Sequence, residues 1–227
     1  MRSQSQYATV PGPAIQLNSH SRPVRAVAFD LDGTLTRPYL DFARLRQQLG
    51  IADGDILQWL AELPPAEQEQ ARQLVEVFEQ DGVEQVAWNE GASETVQAVR
   101  AMKLPLAIVT RNSRASLTAV CHRLDIKVDL LVAREDAQPK PHPACLHYTA
   151  RQLGIPIESL LIVGDFRHDI EAGKAAGAIT VLLTNSRTPP WPVEADLVIE
   201  RLPELVAYLE LKTAGAGPMA EMNDSDE

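Results

Sequence analysis

Short, nearly unbroken apolar runs punctuate the chain at residues 24–29, 106–109, 128–132, 160–163, 179–183 and 197–199. Continuous Val/Ile/Leu runs, unlike alternating ones, mark strands buried on both faces of a parallel sheet. Between them the apolar positions change period. Leu117, Val120, Cys121 and Leu124 recur at i, i+3, i+4 and i+7, Leu146, Ala150 and Leu153 at i, i+4 and i+7, and Val96, Val99 and Met102 at steps of three. Each stripe is the buried face of a helix. Strands alternating with helices predict an α/β fold, a doubly wound parallel sheet joined by right-handed crossovers.

Residues 37–87 break the alternation. Three helical patterns follow one another with no strand between them: Phe42, Leu45 and Leu49; Ile56, Trp59, Leu60 and Leu63; and, after Pro64-Pro65, Ala71, Leu74, Val75 and Phe78. This excursion predicts a small helical cap inserted after the first strand, with residues 24–36 and 88–212 forming the core. Residues 1–23 are polar and rich in Pro, Ser and Gln, and are expected to be a flexible extension. Residues 213–227 carry Glu221, Asp224, Asp226 and Glu227 with no cation, the composition of a disordered acidic tail.

Composition narrows the function classes. A chain of 227 residues has room for one large domain, or one with an insertion. Its net charge of −10 argues against non-specific binding to nucleic acid or anionic membranes, which needs clustered cations. It does not exclude anionic substrates, because a bound metal and a few cations can reverse the field within one site. The first 23 residues lack the apolar run of a secretory signal, and no stretch approaches the ~20 apolar residues that span a bilayer, so a cytoplasmic protein is expected. Cys121 and Cys145 do not suggest a disulfide framework, and both are expected to be small core residues.

Chemistry concentrates at strand ends. The first run leads into Asp30-Leu31-Asp32-Gly33-Thr34-Leu35. Ligands of open α/β sheets bind at that end of the strands, and residues two apart in an extended chain point to the same side, so Asp30 and Asp32 can face one site. Gly33 permits a sharp turn directly after them. Thr110 closes the second run, Lys140 stands in Pro139-Lys140-Pro141-His142-Pro143, and Gly164-Asp165-Phe166-Arg167-His168-Asp169 follows the fourth. Alone, each has a plainer reading: an Asp-Gly turn, a helix cap, a solvated charge, a carboxylate at a helix start. Four ordered pieces, three of them at strand ends, outweigh those readings.

Together these four motifs resemble those of the haloacid dehalogenase-like phosphohydrolases, over residues 24–211. Lys-Pro-His-Pro and the helical insertion are most similar to the phosphoglycolate phosphatase and β-phosphoglucomutase branch. The resemblance implies a Mg²⁺-dependent phosphatase acting on a small phosphorylated metabolite through an aspartyl-phosphate. It makes Asp30 the nucleophile and Asp32 the general acid/base. It assigns Thr110, with Asn112 assisting, and Lys140 to the phosphate. It gives Asp30, the backbone carbonyl of Asp32 and Asp165 to the metal, and puts Asp169 behind them as an orienting residue. A phosphomutase on a sugar phosphate would use the same site. Dehalogenation would leave Asp32 and Asp165 without a purpose. Phosphonate hydrolysis calls for a cap lysine, and residues 37–87 contain none. A non-catalytic binding module is disfavoured because all four motifs are kept. Arg37, Arg44 and Arg46 are candidates to meet an anionic substrate. The oligomeric state stays open.

Overall fold

The computed structural model describes residues 22–214. Most of the extension and the acidic tail lie outside the described residues. Six strands form: β1 (Ala26–Phe29), β2 (Leu106–Val109), β3 (Leu130–Val132), β4 (Leu160–Gly164), β5 (Ile179–Leu183) and β6 (Leu197–Ile199). They form one sheet in the order β3-β2-β1-β4-β5-β6, every pair parallel. This is the doubly wound α/β architecture that the apolar runs predict.

The strands read as continuous apolar runs because alternate residues enter two different layers. Val27, Phe29, Leu106, Ile108, Leu161 and Val163 pack on one side. There they meet α4 (Ala92–Ala101), α5 (Arg114–Arg123) and α8 (Pro203–Ala214). Ala26, Ala28, Ala107, Val109, Leu160 and Ile162 pack on the other side, against α6 (Ala144–Gln152) and α7 (Arg167–Ala176). Cys121 and Cys145 fall in opposite layers as buried free thiols.

Three helices occupy the excursion: α1 (Phe42–Leu49), α2 (Ile56–Glu62) and α3 (Pro65–Gly82). Aspartates start the first two. Asp41 accepts the Arg44 N–H and Asp55 the Gln58 N–H, each at 3.0 Å. Pro65 begins α3, where its missing N–H costs nothing. Leu45, Leu60 and Val75 bury one another in a third apolar cluster, with Trp59 against them. Two stripe residues depart from expectation. Phe42 and Leu74 are 40% and 37% exposed. Each of these amphipathic helices has a face wider than its own small core, and Phe42 instead lines the cleft described next. No helix among the described residues is long and apolar enough to cross a membrane.

Candidate active site

Sheet order decides what can meet. β2, β1 and β4 are neighbours, so the residues leaving their carboxyl ends share one cleft. Asp30 and Asp32 follow β1, Thr110 and Asn112 follow β2, and Asp165 and Asp169 follow β4. All six, together with Lys140, line a cleft of about 540 Å³ between the sheet and the inserted helices.

Lys140 ties the floor together. Its side chain is buried, and Nζ donates to Asp30 Oδ1 at 2.7 Å, to Asp169 Oδ1 at 2.5 Å and to the Val109 carbonyl at 2.7 Å. Burial alone would lower the lysine's pKa. Asp169 and Asp30 more than offset this and push it well above its ordinary value. The ammonium is therefore held charged between two carboxylates.

The carboxylates crowd one another. Oxygens of Asp30, Asp165 and Asp169 lie within 4.8 Å of each other. Asp165 is pushed up to about 8 by burial and by repulsion from Asp30, Asp169 and Asp32. Asp30 rises to about 6, raised by burial and held back by Lys140. Asp32 rises to about 7, through burial and then Asp30, and its Oδ1 is buried without a hydrogen-bond partner. Four carboxyl groups face one lysine, so full ionisation would leave excess negative charge. An all-oxygen donor set of this kind fits a hard divalent cation. Asp169 enters this cluster, but its Oδ1 is taken by Lys140 and its Oδ2 accepts the Phe166 N–H at 3.2 Å. That second bond caps α7 and lets it begin at Arg167.

Backbone geometry sets these positions. Gly33 has φ +84°, and a Cβ there would sit 2.3 Å from Asp165 Oδ2. Gly164 is equally constrained, for a Cβ would meet Asp169 Cγ at 2.1 Å. Thr34 Oγ1 donates to Asp165 Oδ1 at 3.4 Å. Thr110 Oγ1 accepts the Asn112 N–H at 3.1 Å, and Asn112 Nδ2 donates to the Tyr39 hydroxyl at 3.4 Å. Ser113 then caps α5 by accepting the Ser116 N–H. The loop after β2 thus offers the Thr110 hydroxyl and the Asn112 amide to the cleft, while the N–H groups of Asn112, Ser113 and Arg114 are engaged by Thr110, Glu79 and Glu135.

Several residues join the site to which the motifs assign no role. Asn89 Nδ2 donates to the Thr34 carbonyl at 2.9 Å and Asn185 Nδ2 to the Gly33 carbonyl at 2.9 Å, bracing the turn after Asp32. Glu79 of α3 is buried, accepts the Ser113 N–H at 3.0 Å and pairs with Arg134 at 2.5 Å. Arg111 pairs with Asp55 and touches His168. His168 is held down to about 4, first by burial and then by Arg111, so it is neutral near pH 7. Only adjacency to Thr110 and position inside the fourth motif could have flagged Arg111 and His168. Of the three candidate arginines, Arg46 reaches the cleft lining, and Arg37 and Arg44 do not.

The chain is similar to known proteins in sequence and in fold. A family model described as haloacid dehalogenase-like hydrolase matches residues 24–177. The phosphoglycolate phosphatase of Escherichia coli K12 is 31% identical over 207 residues, covering 71% of this chain and 81% of that protein. An uncharacterized hydrolase of Saccharomyces cerevisiae is 28% identical, over 82% of this chain and 91% of its own. The crystal structure of a family hydrolase from Deinococcus radiodurans, with bound phosphate and sodium, superposes with a TM-score of 0.64 at 26% identity. It covers 85% of this chain and 97% of its own.

Proposed function

The chain belongs to the haloacid dehalogenase-like hydrolases, and from that premise we propose that it hydrolyses the phosphate monoester of a small metabolite in the cytoplasm, using Asp30 as nucleophile. One observation carries the proposal. The Lys140 ammonium sits on Asp30 at the floor of a cleft where Thr110, Asp32 and Asp165 converge from three neighbouring strands.

The residues divide the work as follows. Thr110 and Asn112 hold the phosphate oxygens, and Lys140, donating to Asp30, supplies the cation beside the nucleophile. A carboxylate oxygen of Asp30 forms a bond to phosphorus as the ester P–O bond breaks, giving an aspartyl-phosphate. Asp32, poised near neutrality, gives its proton to the departing alkoxide. Asp32 then takes a proton from water attacking phosphorus, and the acyl-phosphate bond breaks to return free phosphate and the Asp30 carboxylate. Asp30, Asp165 and the Asp32 carbonyl would hold a divalent ion, Mg²⁺ in our reading, whose charge when bound offsets the repulsion between carboxylate and phosphate. Asp169 keeps Lys140 and the start of α7 in place. We propose that residues 37–87 act as a cap, excluding bulk water and contacting the organic part of the substrate.

The deciding experiment is a phosphate-ester panel assayed with Mg²⁺ and with EDTA. Phosphate release that vanishes in EDTA and returns with Mg²⁺ is expected, and equal release under both conditions would refute the metal assignment. Isomerisation of a hexose phosphate that needs a bisphosphate and releases little phosphate would place the chain among the mutases instead.

Gly33→Ala tests the turn. The added methyl would meet Asp165 Oδ2 at 2.3 Å on a backbone that disfavours side chains. Divalent-ion affinity should fall by about 10–100-fold, as when outer contacts of a metal site are disturbed. Metal titration of activity reads this directly, and an unchanged titration midpoint would contradict it.

A further inference from the structure

We propose that Asp55, Arg111 and His168 form a clasp across the cleft that limits the length of ester admitted, an inference that rests on the phosphatase reading. Asp55 belongs to the inserted helices and Arg111 to the loop after β2. Arg111 Nη2 donates to both carboxylate oxygens of Asp55, at 2.7 and 2.6 Å. Its Nη1 lies against His168 Nδ1, and His168 Nε2 is 3.7 Å from Asp55 Oδ2. The His168 ring meets the edge of Phe166, centroids 4.9 Å apart, and Phe166 meets Trp191 at 5.0 Å. An aromatic row, ending in the Pro-rich loop of residues 188–192, therefore backs the clasp.

All three residues line the same cleft as Asp30 and Lys140. With the phosphate fixed at the floor, the ester's organic end points along the cleft. A short organic group fits beneath the clasp, and a long one must displace it. Two of the ion pairs between insertion and core differ in kind. Glu79 and Arg134 have side chains only 4% and 9% exposed, so breaking that pair would strand a buried charge. Asp55 and Arg111 are 20% and 22% exposed, where water can replace a lost partner. The first tie is a fixed anchor and the second is the one that can open.

The test uses two variants that break the clasp from opposite sides. Asp55→Ser keeps a good N-cap for α2 but is too short to reach Arg111. Arg111→Ala leaves α2 untouched. In both, kcat/KM for AMP relative to phosphoglycolate should rise at least tenfold, with Arg111→Lys nearer to wild type. Amide hydrogen exchange over residues 51–57 should accelerate in both. A shift confined to Asp55→Ser would trace the effect to the helix cap and overturn the clasp. An unchanged ratio in an active enzyme would also overturn it, leaving the phosphatase reading intact. A wild-type protein that releases phosphate from no ester would overturn the reading and the length limit together.

Discussion

Asp30→Asn should lower phosphate release by about 10⁴-fold or more, the scale on which a nucleophile's removal is felt. The amide is nearly the same size and keeps an oxygen for Lys140, which now donates to Asp30 Oδ1 at 2.7 Å. The fold should persist, and its thermal midpoint should move little. Burst kinetics with a good leaving group would show wild type forming a covalent phospho-enzyme and the variant forming none. Turnover at the wild-type level would remove Asp30 from the mechanism, whatever the fate of the rest of the site.

Lys140→Met should cost both activity and stability. The ammonium answers Asp30 and Asp169 at once from a position only 2% exposed. Its loss leaves two buried carboxylates facing one another beside Asp165. Removing one partner of a buried ion pair typically destabilises by about 3–5 kcal/mol. Urea unfolding should show a lower midpoint at unchanged slope. Adding Asp169→Asn to this variant relieves part of the stranded charge, so the pair should recover stability without recovering turnover. A double variant no more stable than Lys140→Met alone would mean that the lysine acts on the fold through something other than these carboxylates.

The sheet was legible because its inner strands are covered on both sides, which leaves apolar runs interrupted only at Arg25, Asp129 and Thr180. Asp30, Asp32, Thr110 and Asp165 were legible because they follow strand ends, where a parallel sheet presents ligands, whereas Lys140 lies eight residues past β3 and was legible only through its resemblance to the third motif. What could not be read were meetings between side chains distant in sequence. Asp55 has a sufficient local explanation as a helix cap, which conceals its pairing with Arg111, 56 residues on. Glu79 sits on a helix flank as any surface glutamate would, and only the packing of α3 over the loop after β2 buries it beside Arg134. Asn89 and Asn185 lie on either side of most of the core sequence, yet both amides reach the carbonyl of Gly33. Phe42 was misplaced for a related reason. Helical periodicity says which residues share a face, but not whether that face meets a core or a cleft.

The third apolar cluster makes the inserted helices self-sufficient. Leu45, Leu60 and Val75 satisfy one another without borrowing from the sheet. The chain leaves for α1 just after the turn that follows β1, and returns at Trp88 and Asn89, where it rejoins Thr36 and Leu35. Departure and re-entry are thus neighbours, and lengthening or replacing what lies between them need not disturb the strand register below. Such an arrangement makes the segment a natural unit for grafting between relatives.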